Sequence, residues 1–389
     1  MSKRKEKEPP QLPKKKKKKK NIDRGNKKEY NEYKERMKVS KLKHTQGDLQ
    51  QMQSLPLQVK VAMTKRRIRE WYDYWGGQVY VSFSGGKDST VLLHIARELY
   101  PDIESVFVNT GLEYPEIQKF VKTFDNVTIL RPKMRFDEVI KKFGYPVISK
   151  EVSECVSQGR YAITSDKYTY RLQKLMGTAL NKDGTKSKFN KEKYKPLLYV
   201  DFKISNMCCN VMKKSPAHFY AKSSGKFPIT AQMANESILR AQQWLKNGCN
   251  GFNMKSPISN PMSFWTEQDV LQYIKENDIP IASVYGKITY KEIPEQMSLD
   301  DLGIYCGRKL CTTGCHRTGC IFCAFGAHLE KAGEGRFELL KETHPHQYEY
   351  CIGGGEYVNG VWQPSKEGLG MGHIFDELNK IYGEGFIRY

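Results

Sequence analysis

The run Ser84-Gly85-Gly86-Lys87-Asp88-Ser89 most limits what this chain can fold into. It follows a short β-rich stretch, Val79-Tyr80-Val81-Ser82-Phe83, and precedes a helical stretch from Thr90 to Leu99. Two adjacent glycines at such a junction let the backbone approach an anion without Cβ clashes. The following helix offers free N–H groups and the positive end of its dipole. Ser84 and Ser89 add hydroxyl donors, Lys87 a point charge, and Asp88 a carboxylate suited to Mg²⁺ beside phosphates. The GxxxxGK[ST] spacing of a Walker A loop is absent. A glycine pair alone would be only a turn, but these six residues between strand and helix predict a phosphate site.

The alternation continues downstream. Residues 105–109 read as a second strand, 115–124 as a helix, 127–130 as a third strand and 136–143 as a third helix. Strands alternating with helices of this length imply βαβ units, hence an α/β fold with a doubly wound parallel sheet. Right-handed crossovers put the strand C-termini on one edge, where ligands of open α/β sheets bind. Residues 151–200 lack clear periodicity and are rich in Lys, Tyr and Ser, which suggests an insertion or a substrate-side segment. The pattern resumes at Phe227-Pro228-Ile229-Thr230, with helices over about 235–246 and from an N-cap at Thr266.

The net charge of +21 is unevenly placed. Residues 1–70 hold 24 Lys/Arg against 8 Asp/Glu, leaving the remainder nearly balanced. We therefore divide the chain into a disordered Lys-rich tail (1–27), a helical basic arm (28–75), an α/β nucleotide-binding domain (76–298) and a Cys-rich C-terminal segment (299–389). Lys65, Arg66, Arg67 and Arg69 give the arm a basic face, which suits nucleic acid by counterion release or is simply solvated. No apolar run approaches the roughly 20 residues needed to span a bilayer, and no secretory h-region is visible, so a cytoplasmic location without membrane contact is expected.

The motifs after the loop resemble, in order, those of the phosphoadenosine phosphosulfate (PAPS) reductase family and its N-type ATP pyrophosphatase relatives. These are Asn109-Thr110-Gly111-Leu112-Glu113-Tyr114-Pro115, Gly144-Tyr145-Pro146 with Lys150, Cys208-Cys209 with Lys213, Glu236-Ser237 with Arg240, Trp265-Thr266 with Asp269-Val270, and Gly319-Cys320-Ile321-Phe322-Cys323. The resemblance covers about residues 78–345 and implies an adenine nucleotide alpha-hydrolase-like fold. It further implies that the loop holds the phosphates of ATP or PAPS, with Lys87 and Asp88 catalytic and Mg²⁺ as a cofactor. Asn109 and Gly111 would lie near the nucleoside. Arg240 would face the phosphates or a sulfate, although Glu236 and Arg240 also have the spacing of an i,i+4 ion pair.

Ten cysteines without an export signal point to metal, cluster or catalytic roles rather than disulfides. Two four-cysteine sets compete. Cys208, Cys209, Cys320 and Cys323 resemble the [4Fe–4S] ligands of the adenylylsulfate-reducing branch, while Cys311, Cys315, Cys320 and Cys323 form a compact local set. Zn²⁺ is the alternative metal, but structural Zn sites usually separate their Cys pairs by about 15–20 residues, so the cluster is favoured, with the first set as its ligands. The Glu-Cys-Gly-x-x-His nucleophile motif of sulfonucleotide reductases does not occur here. The resemblance thus implies two readings: cleavage of an adenine nucleotide in sulfur-transfer or redox chemistry, with a sulfur donor or thioredoxin-like reductant and with nucleic acid reached through the basic N-terminal arm as partners; or a true thioredoxin-dependent reductase. A rival from another class is a Zn-containing nucleic-acid-binding protein with an inactive loop.

Overall fold

The computed structural model describes residues 42–292 and 308–389. The Lys-rich tail, residues 28–41 of the arm and Cys306 lie outside the described residues. The chain divides into two units, Met1–Lys43 and His44–Tyr389, and the second holds the sheet.

Four-residue strands β1 (Val79–Ser82), β2 (Ser105–Val108) and β3 (Val127–Leu130) alternate with helices, as the sequence predicts. They pair in parallel, with Val81 beside Ser105 and Ser105 beside Val127. β4 (Val147–Ile148) lies outside this sheet; β5 (Phe227–Ile229), β6 (Asn250–Gly251) and β7 (Ile258–Ser259) complete it. The order is β3-β2-β1-β5-β7-β6, and only β6 runs antiparallel to its neighbour. This is the expected doubly wound α/β arrangement. The chain steps outward from β1 to β3, then returns across β1 to β5. That reversal opens a crevice at the carboxyl ends of β1 and β5.

The sequence reads one helix over 28–75, but the described part holds two, α1 (Gln46–Gln53) and α2 (Leu57–Tyr74), separated at Pro56, which begins α2. Nor does α2 project as an arm. Ile68 and Trp71 are fully buried, and Lys60 Nζ meets Asp269 Oδ1 at 2.8 Å, Asp269 Oδ2 at 2.7 Å and the Gln53 carbonyl at 2.6 Å. The basic face is engaged internally: Lys65 pairs with Glu98, and Arg66 and Arg67 both pair with Glu70.

Helix α3 (Lys87–Leu99) follows β1, with Val91, Leu92, Leu93, Ile95 and Ala96 buried. α4 (Pro115–Val121) and α5 (Phe136–Phe143) follow β2 and β3. The segment without visible periodicity holds two further helices, α6 (Lys150–Thr164) and α7 (Tyr170–Met176). β8 (Ile288–Glu292) and β9 (Arg308–Thr312) form an antiparallel ladder. β10 (Ala324–Phe325) pairs in parallel with β4, Ala324 beside Val147. This pairing ties residues 324 and 325 of the Cys-rich segment to the α/β domain.

Candidate active site

The loop after β1 leaves the sheet at the crevice. Gly85 has φ +71°, and a Cβ there would lie 2.7 Å from Val121 Cγ2 and 2.8 Å from Ile117 Cγ2. Only glycine meets both demands. The hydroxyls hold the loop in shape: Ser84 N–H donates to Ser89 Oγ (3.1 Å), Gly86 N–H to Ser84 Oγ (3.3 Å), and Ser89 Oγ–H to the Gly86 carbonyl (2.9 Å).

Lys87 opens α3 and is nearly buried. Its ammonium lies 3.2 Å from Glu267 Oε1, 3.6 Å from Asp88 Oδ1 and 3.2 Å from the His316 carbonyl. Burial pulls the pKa of Lys87 down, but Asp88 and Glu267 outweigh it and the value ends above the ordinary one. For Asp88, burial dominates and raises the carboxyl above the usual carboxylate range, against the pull of Lys87. Asp88 Oδ1 is buried without a hydrogen-bond partner. Tyr285 caps the loop: its hydroxyl accepts from Lys87 N–H (3.1 Å) and lies 2.6 Å from Thr318 Oγ1.

Arg240 occupies the first turn of the helix after β5, Ile238–Asn247, and pairs with Glu236 as the i,i+4 spacing predicts. It also faces the loop. Burial first, then the neighbouring Arg317 charge, lowers its pKa, while Asp88 opposes them. Two guanidiniums and one ammonium thus gather around Asp88.

Beyond the end of β2, Asn109 Oδ1 accepts from Gly111 N–H at 3.0 Å, and Gly111 takes φ +75° with open space where a Cβ would stand. Buried Glu113 accepts from Thr110 N–H (3.0 Å) and Thr110 Oγ1 (2.8 Å), and Lys213 lies 3.8 Å away. A cavity of about 160 Å³ between these groups is lined by Ser84, Val108, Glu113, Lys213, Thr318 and Gly319 among others. Glu113, Lys213, Glu267 and Tyr285 carry the site without having been singled out for it by sequence reasoning. The first three sit inside the quoted motifs; Tyr285 has no local signal.

Cys208, Cys209, Cys320 and Cys323 all line one apolar pocket of about 20 Å³, together with Lys213. Cys208 and Cys209 open a helix that passes through a π-turn, Asn210–Lys214, before continuing as Ser215–Ser224. Such turns recur at functional sites; here it carries Lys213, which faces both Glu113 and Cys320. Cys208 and Cys209 share a hydrogen bond that raises the first thiol and lowers the second, with Lys150 and Lys213 also favouring the Cys209 thiolate. Burial pushes Cys320 up to about 11, against Lys213. Cys311, on β9, and Cys315, beside Tyr114, do not line that pocket. Among the described residues, no three or more His, Cys, Asp or Glu side chains are spaced to hold a single metal ion. Cys155, Cys249 and Cys351 are buried elsewhere.

Among the described residues no helix is long and apolar enough to cross a membrane. The family described as phosphoadenosine phosphosulfate reductase domain matches residues 78–155 and 161–325. An adenosine 5′-phosphosulfate reductase of Staphylococcus haemolyticus is 24% identical over 221 residues, 57% of this chain and 70% of that protein. An uncharacterized protein of Methanocaldococcus jannaschii is 37% identical over 87 residues, and the match spans only 21% of that relative's length. The crystal structure of a phosphoadenylyl-sulfate (PAPS) reductase from Candida auris, a phosphate complex, gives a TM-score of 0.32 at 16% identity over 62% of this chain and 91% of that one.

Proposed function

Because the chain belongs to the phosphoadenosine phosphosulfate reductase domain family, we propose that it binds an adenine nucleotide, ATP or PAPS, on the Ser84–Ser89 loop and cleaves it at the phosphates in sulfur-transfer or redox chemistry. The observation that carries this reading is the gathering of Lys87, Arg240 and Arg317 around Asp88 at the crevice between β1 and β5. Fixed cations in a water-poor crevice stabilise charge that develops on a leaving phosphate. Asn109 and Gly111 would hold the nucleoside side.

The orphaned Asp88 Oδ1 fits Mg²⁺, which Asp88 would hold together with phosphate oxygens. That ion, when bound, neutralises the leaving group. The four thiols Cys208, Cys209, Cys320 and Cys323 line one pocket and would hold a [4Fe–4S] cluster, with Zn²⁺ as the alternative. Such a cluster supplies sulfur-holding or redox chemistry beside the nucleotide. Lys213 orients toward both regions, between Glu113 and Cys320.

Lys87→Ala is expected to lower pyrophosphate release from ATP and sulfite release from PAPS about a hundredfold or more. Full activity in that variant would refute the loop's role. Similarity to adenosine 5′-phosphosulfate reductases favours a second reading, the thioredoxin-dependent reductase, and sulfite release that requires thioredoxin would select it. Iron and sulfide analysis of anaerobically purified protein tests the thiols: Cys320→Ser should lose the iron and Cys311→Ser keep it. Zinc without iron in the unmutated chain would remove the cluster from the proposal.

A further inference from the structure

Residues 161–203 carry ten Lys/Arg against four Asp/Glu, a composition that the nucleotide chemistry does not use. Charge alone would be an ordinary solvated surface. The apolar side chains are what set this segment apart. Of the eighteen large hydrophobic side chains exposed among the described residues, seven fall between Tyr161 and Tyr199, and five of those are aromatic.

Two of the rings meet at one cation, and a third, Tyr168, stands two residues before the first of them. Lys174 Nζ stands 5.8 Å from the Tyr170 ring centroid and 5.9 Å from that of Phe189, so both rings flank one ammonium. Lys188 Nζ lies 5.7 Å from the same Phe189 ring. Tyr168 is anchored through its hydroxyl to Thr178 Oγ1 at 2.5 Å. Yet Tyr168, Tyr170 and Phe189 remain 63%, 52% and 55% exposed. Lys167, Lys182, Lys186 and Lys188 are exposed around them.

Rings interleaved with lysines match a strand of bases joined by phosphates, where each base offers a π-face and each linkage a charge. Protein interfaces, by contrast, are depleted in Lys. We propose that this patch binds single-stranded nucleic acid, with Tyr168, Tyr170 and Phe189 stacking on bases and the surrounding lysines on phosphates.

The test uses the full chain, so that the Lys-rich tail is the same in every variant. A Tyr168→Ala/Tyr170→Ala/Phe189→Ala protein keeps the net charge. By fluorescence anisotropy it is expected to bind labelled oligothymidylate at least about tenfold more weakly than the unmutated chain. Its affinity for heparin, a polyanion without bases, should not change. Lys182→Gln/Lys188→Gln should weaken both ligands and flatten the salt dependence for oligothymidylate by about 0.7 per lysine. Photo-crosslinking of iodouracil-containing oligonucleotide to the unmutated chain should label residues 161–199, a readout independent of how any variant folds. Unchanged oligothymidylate affinity in the triple variant, or crosslinks confined to residues 1–27, would overturn the proposal and leave the rings to a protein partner. Binding is read without turnover, so its failure is separate from any failure of the nucleotide reading.

Discussion

The two edges of the central sheet treat a carboxylate in opposite ways. At the amino-end edge, Glu104 precedes β2 and accepts from Lys226 Nζ (2.6 Å), Thr128 Oγ1 (2.5 Å) and the Tyr220 hydroxyl. Burial works to raise its pKa, but these three donors outweigh it and hold the carboxyl below the ordinary glutamate range. At the carboxyl-end edge, Asp88 is raised, and one of its oxygens is buried without a donor. Cavity size points the other way: about 630 Å³ beside Glu104, against about 160 Å³ beside the loop. The larger space is lined by groups that already satisfy one another. The smaller one adjoins Ser84 of the loop whose Asp88 keeps a buried oxygen without a hydrogen-bond donor, and that makes the loop's side the better candidate for chemistry.

Substitutions that separate satisfied from unsatisfied charge test this contrast. The largest effect is expected at Asp269, two residues from Glu267. Lys60→Met leaves Asp269 buried without its cation and should cost about 3–5 kcal/mol in urea unfolding. A loss below about 1 kcal/mol would mean that the α2 clamp is ornamental. Next, Asp88→Asn removes a carboxylate that the fold holds at a cost. Turnover should fall about a hundredfold, close to 2.7 kcal/mol in barrier, while the melting temperature holds or rises. A variant that melts lower yet turns over normally would make Asp88 structural and erase the difference between the edges. Smallest is Glu104→Gln, about 1 kcal/mol of stability after allowance for solvent screening, with turnover unchanged. Its pH signature follows from the lowered pKa. The Glu104 contribution is complete above the unfolded glutamate value of about 4.3 and fades as pH falls through the lower folded value. The stability difference between the unmutated chain and Glu104→Gln should therefore close only in acid.

The parts of the fold legible in the sequence are those whose signals are local. β3 and α5 occur at the residues that their patterns predict. Thr266 caps its helix through the reciprocal bond with Asp269. Helix α6 was not legible because it buries Val152, Ser153, Cys155, Val156, Gly159 and Ala162 together, mixing polar and apolar residues on its inner side. Gly159 sits where a Cβ would press Leu198 at 3.1 Å and Leu175 at 3.2 Å, a contact that no periodicity reveals. That Cys208, Cys209, Cys320 and Cys323 line one pocket across a 110-residue gap is likewise a matter of tertiary structure, which spacing alone does not carry. The basic face of α2 was visible, and so was Glu70 one turn from Arg66, but the partner of Lys65 was not, since Glu98 lies on another helix.

The Tyr285 hydroxyl on Lys87 N–H bears on which anions the loop admits. The amide is never bare, so an incoming anion exchanges with an internal competitor instead of filling a vacancy. A net protein hydrogen bond is worth about 1 kcal/mol. A weakly held monovalent ion such as chloride gains too little from one amide to complete that exchange. A polyphosphate, meeting Lys87 and the arginines at once, recovers the loss several times over. The tyrosine thus sets an entry threshold, and Tyr285→Phe should lower it for every anion, eroding the loop's preference for multiply charged ones.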